Sequence, residues 1–217
     1  DTWLEQGVDH FIFSSSAATY GEPQSIPITE DHPTNPINPY GRTKRAVEWY
    51  LEDLYENGEA RSISLRYFNA AGAGENVGED HDPETHLIPI VLEAASGKRD
   101  HVEIYGTDYE TRDGTCLRDF VHVRDLADAH IRAMNRLDDL GCERINLGTG
   151  DGNTVLEVIE TAKQVTGKEI PVEEGPRRPG DPARLVADYR KAEKSLDWKP
   201  ERGLKTIIED AWQWENR

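Results

Sequence analysis

An apolar run that ends in three hydroxyls, Phe11-Ile12-Phe13-Ser14-Ser15-Ser16, with Pro39-Tyr40-Gly41-Arg42-Thr43-Lys44 a loop further on, constrains this chain more than any other feature. Phe11 to Phe13 read as a buried strand. The serines follow at its C-terminal end, the edge at which open α/β sheets bind ligands. Pro39 suits the first position of a helix, on which Tyr40 and Lys44 stand four residues apart on one face. A phenol with a pKa of about 10 is a poor base at neutral pH, but a neighbouring ammonium favours the phenolate. A hydroxyl, a tuned phenol and an ammonium in this order point to carbonyl redox chemistry, and so to an enzyme working on an alcohol.

Strand and helix patterns alternate along the rest of the chain. Residues 1–7 read as the tail of a helix ending at Gly7, and the Tyr40 helix continues through Glu48, Trp49, Leu51 and Leu54. Strands are expected at 63–68, 102–105, 144–147 and 170–172, and helices at 88–95, 126–137 and 155–165. The last helix is opened by Thr154 with Glu157 three residues on, a capping-box pattern, and closed by Gly167. Leu204, Ile207, Ile208, Ala211 and Trp212 have helical spacing and are read as a packing face, not a ligand site. Repeated β-α alternation is the α/β class.

Six segments, SSSAATYGE at 14–22, PYGRTK at 39–44, LRYFNAAGA at 65–73, ETHLIP at 84–89, YGTDYETRDGTCLRDFVHVRDLADAH at 105–130 and RRPGD at 177–181, resemble the UDP-glucose 4-epimerases of the extended short-chain dehydrogenase/reductase group. INLGTGDGNTVLEVI at 145–159 looks like the same family. The resemblance implies the C-terminal part of a doubly wound Rossmann-type NAD-binding domain over 1–68 and about 120–137. Interleaved with it is a smaller α/β substrate domain, for the UDP-sugar, over about 69–119 and 138–217. The cofactor implied is NAD. The reaction implied is interconversion of UDP-glucose and UDP-galactose by oxidation and re-reduction at sugar C4.

Ser16, Tyr40 and Lys44 match the family's catalytic positions. The resemblance has Tyr40 take the 4-hydroxyl proton, Ser16 hydrogen-bond the oxygen, and Lys44 bind the nicotinamide ribose and lower the pKa of Tyr40. Ser14 and Tyr67 join Tyr40 and Lys44 at the cofactor. Ser16, Asn69, His86, Leu87, Tyr105, Arg118, Phe120, Arg178, Asp181 and Leu185 match substrate positions. Arg118 and Arg178 fall on the diphosphate, where guanidinium forks suit phosphate oxygens; Asp181 falls on the uridine ribose and Tyr105 on the uracil. His86 stands where some members carry asparagine. Leu185 stands where members restricted to non-acetylated sugars carry a bulky tyrosine, which extends the expected substrates to UDP-N-acetylglucosamine and its galacto epimer. Ala17 and Ala18 occupy the slots of the Asp-Glu pair in related 4,6-dehydratases, against elimination chemistry.

The glycine-rich turn that cradles the NAD pyrophosphate is missing from the sequence. Gly72-Ala73-Gly74 and Gly148-Thr149-Gly150 lack the third glycine at the required spacing and read as loops. The resemblance therefore implies that the chain begins inside the cofactor domain, preceded in the complete protein by about one hundred residues of strands and helices. It implies a homodimer for the complete protein, joined by a bundle that includes the Tyr40 helix. The partner helix of that bundle is reduced here to its last turn, so dimerisation of this chain is not expected. The alternative is a non-catalytic UDP-sugar-binding fragment or subunit without NAD binding.

With 25 basic against 42 acidic residues the net charge is −17, and the acids are dispersed, so neither nucleic acid nor an anionic membrane is an expected partner. No stretch approaches the eighteen or so apolar residues of a membrane span. Two cysteines, Cys116 and Cys142, carry no metal-ligand spacing and fit a reducing cytoplasm. His81-Asp82-Pro83-Glu84-Thr85-His86 gathers two histidines and two carboxylates, but Pro83 breaks a helix there. The i, i+4 geometry of helical zinc motifs is lost, and no metal is expected. Seventeen arginines against eight lysines leave two readings open, a salt-adapted organism or simply an acidic cytosolic enzyme. A melting temperature that climbs in molar KCl selects the first; an unchanged one selects the second.

Overall fold

The central strands are buried on both faces, so the polar residues that alternate with the apolar ones along 62–66 are buried as well. A computed structural model describes residues 2–178 and 180–217. A single helical turn, α1 (Thr2–Glu5), leads into β1 (His10–Ser16) and a 3-10 turn at Ala17–Thr19. Then come α2 (Pro39–Glu56), β2 (Arg61–Tyr67), β3 (Asn69–Ala71), α3 (Leu87–Ser96), β4 (Val102–Tyr105), β5 (Leu117–Arg118), β6 (Phe120–His122) and α4 (Val123–Leu140). The chain continues through β7 (Cys142–Leu147), β8 (Asn153–Thr154), α5 (Val155–Thr166), β9 (Val172–Gly175), β10 (Arg184–Leu185), α6 (Arg190–Leu196) and α7 (Leu204–Glu215).

The main sheet runs β1-β2-β7, all parallel, with Ser14 opposite Leu65 and Ser16 opposite Tyr67. The strand period of two sorts its side chains between two faces. Ile12, Ile63, Leu65, Ile145 and Leu147 share a core with Leu126, Ala129, Ala133 and Leu137 of α4 and with Ala192 and Leu196 of α6. Phe11 and Phe13 point the other way, onto Leu51 and Leu54 of α2. On that second face β2 offers Ser62, Ser64 and Arg66, all buried.

Glu48 of α2 satisfies this polar face. Its carboxylate accepts from Arg66 Nε at 2.8 Å and Arg66 Nη2 at 2.6 Å, from Arg45 Nη1 at 3.1 Å and from Ser15 Oγ at 2.6 Å. The Arg66 guanidinium also lies 4.7 Å from the ring centroid of Tyr20, whose hydroxyl donates to Asn146 Oδ1 of β7 at 2.7 Å. One buried carboxylate therefore fastens α2 to both β1 and β2.

A second core forms between α3, β4, α5 and α7 through Ile88, Leu92, Ile104, Ile159, Ile207 and Ile208. The short strand β6, parallel to β3, divides itself between the cores: Val121 faces the first and Phe120 the second. β5 lies between β8 and β10, and β4 pairs with β9.

The long elements form close to their expected bounds. β1 differs in running through the serines, because Ser14, Ser15 and Ser16 pair with Leu65, Arg66 and Tyr67. The strand expected at 170–172 is instead Val172–Gly175; Ile170 drops into the second core, and the Pro171 carbonyl accepts from Val102 N at 2.9 Å. The short strands β3, β5, β6, β8 and β10 and the two-turn α6 are too brief for a readable period. Assigning all of 138–217 to the substrate unit needs correction, since β7 pairs along β2 and α6 packs in the same core.

Burial is the largest influence on the Glu48 carboxyl and pushes its pKa up, but the Arg66, Ser15 and Arg45 contacts outweigh it and hold it below the ordinary glutamate value. The resulting stability is complete above the unfolded pKa of about 4.3 and is lost as pH falls through the lower folded value. Glu48→Gln is expected to cost about 3–5 kcal/mol at neutral pH, because Arg66 is left buried without its counter-charge. Urea unfolding measured against pH should show a flatter acid limb in the variant than in the parent.

Candidate active site

The ends of β1 and β2, the first turn of α2 and the loop before α3 wall a cleft of about 870 Å³. Ser16, Tyr40, Tyr67, Asn69, His86, Leu87, Tyr105, Arg118, Phe120, Arg178 and Asp181 all line it. Ser14, Lys44 and Leu185 are not among its lining residues. Leu185 pairs with Arg118 across β10 and β5 and packs on the small cluster of Ala17, Tyr20 and Ile28.

Strand parity gives the three serines three tasks. Ser15, on the α2 face, binds Glu48. Ser14, on the α4 face, lies 2.8 Å from Tyr67 Oη and 3.4 Å from His130 Nε2. Ser16 ends the strand: its Oγ accepts from Ala18 N at 3.1 Å, and its carbonyl accepts from Thr19 Oγ1 at 2.9 Å. Capping uses a lone pair of Ser16 Oγ and leaves its hydrogen to be donated into the cleft.

Tyr40 is aimed by the start of α2. Asn38 is the N-cap, its Oδ1 accepting from Gly41 N at 2.8 Å, and Pro39 takes the first helical position. At Gly41 an added Cβ would stand 2.3 Å from Ala18 O and 2.9 Å from Pro36 Cβ. The missing side chain lets the first turn seat directly on the residues after Ser16. Lys44 follows one turn later. Its Nζ donates to Ser14 O at 2.9 Å and lies 5.5 Å from the Tyr40 ring centroid, so the ammonium is anchored beside the phenol with N–H groups still to offer.

Tyr67, at the end of β2, also lies 2.5 Å from His130 Nε2. Nδ1 of His130 faces the Leu126 carbonyl at 2.7 Å and must carry a proton, since a carbonyl only accepts. In neutral His130, Nε2 then accepts from the Tyr67 phenol. Burial, foremost, raises the Tyr67 pKa; the Ser14 contact pulls it back and Tyr40 adds to the rise.

At the other end of the cleft the Arg178 guanidinium stacks 4.3 Å from the Tyr105 ring centroid. Arg118 forms an ion pair with Asp181 and donates to Leu117 O at 2.8 Å. Asn69 and Phe120 are register partners in the β3–β6 pair. The backbone and side-chain N–H groups of Asn69 both reach Asp119 O, at 2.9 and 3.1 Å.

The Gly148-Thr149-Gly150 loop closes on the protein itself. Asp119 accepts from Thr149 N and Oγ1, both at 2.6 Å, and from Gly150 N and Ala187 N, both at 3.0 Å. Burial raises the pKa of that carboxyl, and the four donors offset part of the effect. A Cβ at Gly148 would meet Asp119 Oδ2 at 2.5 Å. Thr154 and Glu157 complete the capping box of α5, so this segment is the turn and cap that its sequence suggests.

The model of the NAD dependent epimerase/dehydratase family matches residues 1–148. The chain belongs to that family. It is 53% identical over 215 residues to a UDP-glucose 4-epimerase of Halalkalibacterium halodurans, covering 97% of this chain and 64% of the relative. The chain thus spans a little under two thirds of that relative's length. Its fold matches the crystal structure of UDP-glucose 4-epimerase from Bifidobacterium longum in complex with NAD+ and UDP, with a TM-score of 0.93 and 42% identity, over 99% of this chain and 65% of the other. It also matches the UDP-Glc/GlcNAc 4-epimerase of Campylobacter jejuni, with a TM-score of 0.83 and 45% identity, over 99% and 67% of the two chains.

Sequence reasoning about this family member missed three contributors. His130 lies 63 residues along the chain from Tyr67, and nothing in its helix marks it. Gly41 has ordinary helical spacing and is special only for what it touches. Trp214 corrects the reading of α7 as packing alone: Ile207 and Ile208 do pack, but Ala211 and Trp214 line the cleft, and Trp214 Nε1 donates to Glu79 O at 2.8 Å. Trp214 falls on the helix face shared by Ile207 and Ala211, a signal the spacing did hold.

Gly41→Ala is expected to destabilise the chain by about 1–3 kcal/mol, because the added methyl meets backbone that cannot swing aside. Gly203→Ala, whose Cβ meets nothing within 4 Å, should cost less in the same urea titration.

Proposed function

We propose that this chain is the catalytic and substrate-binding part of a UDP-glucose 4-epimerase that interconverts UDP-glucose and UDP-galactose. The observation that carries the reading is one cleft with a Ser16–Tyr40 wall, backed by Lys44, that also holds Arg118, Arg178, Tyr105 and Asp181. An acid/base pair suits a sugar hydroxyl, and paired guanidinium groups suit a diphosphate.

The donor set fits the nicotinamide end of NAD: Lys44 N–H groups, the Tyr40 phenol and the Ser14–Tyr67 hydroxyl pair lie together at the C-terminal edge of parallel strands. When bound, NAD supplies a reversible hydride acceptor. Tyr40 holds the proton of the C4 oxygen, removing it as phenolate and returning it as phenol. Ser16 donates its hydroxyl hydrogen to the same oxygen. Lys44 holds the ribose hydroxyls and keeps a positive charge beside the phenol. Arg178 and Arg118 hold the diphosphate, and Asp181, tethered by Arg118, accepts from the uridine ribose.

A second reading, a UDP-sugar-binding chain without hydride chemistry of its own, rests on the glycine loop at 148–150, which wraps Asp119 and leaves no cradle for a pyrophosphate there. The complete protein is read as a homodimer through α2, where Val47 and Trp49 are exposed. Cys116 and Cys142 are free thiols, in keeping with a reducing cytoplasm. No helix among the described residues is long and apolar enough to cross a membrane. Acceptance of the N-acetylated pair as well is proposed from the family resemblance at position 185 alone, since Leu185 itself packs on Ala17, Tyr20 and Ile28 and does not line the cleft.

The chain incubated with UDP-glucose, with and without NAD, tests both readings. UDP-galactose by chromatography supports the epimerase; saturable UDP-glucose binding without product supports the second. In the full-length enzyme Tyr40→Phe is expected to lower kcat by about 10²–10⁴-fold with UDP-glucose affinity retained.

A further inference from the structure

The loop before α3 gathers four metal-ligating groups, of which only His86 is also a substrate-matching position of the proposed epimerase. One ligand atom each from Glu79, His81, Glu84 and His86 lies within 4.8 Å of all the others. We propose that this loop is a binding site for a divalent transition-metal cation, with Zn²⁺ as the first choice.

Three observations carry the assignment. First, the donor set is right: two imidazoles and two carboxylates suit Zn²⁺, and two carboxylates balance its charge. Second, the loop is held in place at both ends. Glu79 O accepts from Trp214 Nε1 at 2.8 Å, and His86 is the N-cap residue of α3. Between them Glu84, with a side chain only 7% exposed, accepts through Oε1 from Thr85 N and His86 N, both at 2.6 Å. Third, the histidines converge on these carboxylates. His86 Nδ1 is 2.9 Å from Glu84 Oε1 and 3.7 Å from Glu79 Oε1, and the two imidazole centroids are 5.4 Å apart.

His81 separates a metal site from a hydrogen-bonded turn. Its Nδ1 stands 4.0 Å from Glu84 Oε1, beyond hydrogen-bond reach, yet within the distance two ligands of one ion can close. Bonds of about 2.0–2.1 Å to a tetrahedral ion place ligand atoms about 3.3 Å apart, so small side-chain rotations complete the shell. His81, His86 and Glu79 are half or more exposed or nearly so, which gives the ion a path in. Pro83 rules out a helical zinc motif but not this loop, in which the carboxylates that meet the two histidines are Glu79 and Glu84. Because Glu79, Thr85 and His86 also line the cleft, a bound ion stiffens the wall beside the nucleotide.

Zn²⁺ titrated by calorimetry into the metal-stripped chain tests the site directly. The expected result is one ion per chain with a Kd of about 1 µM or tighter, weakened at least tenfold in His81→Ala and in Glu84→Gln. His101→Ala, a histidine beside Glu173 on another part of the surface, should bind as the parent does. No saturable uptake, or undiminished affinity in His81→Ala, overturns the proposal. His81 is half exposed and outside the cores, so that variant keeps the fold.

Discussion

Glu48 lies on the inner face of the helix that carries Tyr40 and Lys44, its side chain wholly buried, and Arg66 beside it is almost as fully enclosed. Neither charge could stay there alone, because removing an ion from water costs several kcal/mol that only a close, well-bonded partner repays. Two guanidinium bonds from Arg66, one from Arg45 and the Ser15 hydroxyl supply that compensation. The pair contributes more to position than to net stability. It sets α2 against β1 and β2 at one rotation about its axis, and with that rotation the Tyr40 phenol and the Lys44 ammonium are aimed.

The rest of the site follows from two geometric rules acting together. Parallel strands end at one edge, so Ser16, Tyr67 and the loops after them open into the same cleft. Alternation along β1 then sends consecutive serines to different neighbours: Ser14 toward Tyr67 and His130, Ser15 toward Glu48, Ser16 into the cleft wall. Asp119 does a similar service at the other end, where four N–H and O–H donors around its carboxylate join the loops after β7 and β10 to the link between β5, which carries Arg118, and β6, which carries Phe120.

Much of this was readable in the residues. The Pro39 start of α2, the capping box at Thr154 and the glycine that closes α5 are local interactions within a few residues, and local interactions leave local patterns. The proposed substrate residues Asn69, Phe120, Arg178 and Tyr105, which line the cleft, were legible only through family resemblance; nothing in composition or period singles them out. The short strands escaped because two or three residues cannot display an alternation. His130 and Trp214 escaped because their partners lie far along the chain, and Glu79 with His81, Glu84 and His86 because a loop, not a periodic element, brings them together.

By itself the sequence determined the α/β alternation, the helix bounds and the order of hydroxyl, phenol and ammonium, since these depend on backbone propensity and spacing alone. Tertiary structure decided which serine meets which partner, that Arg118 is tied to Asp181, that the glycine loop at 148–150 holds a carboxylate, and that Trp214 reaches the cleft. Those outcomes depend on how closely distant segments approach, as at Gly41 against the Ala18 backbone and Gly148 against the Asp119 carboxylate. Such distances are set only when both cores have packed.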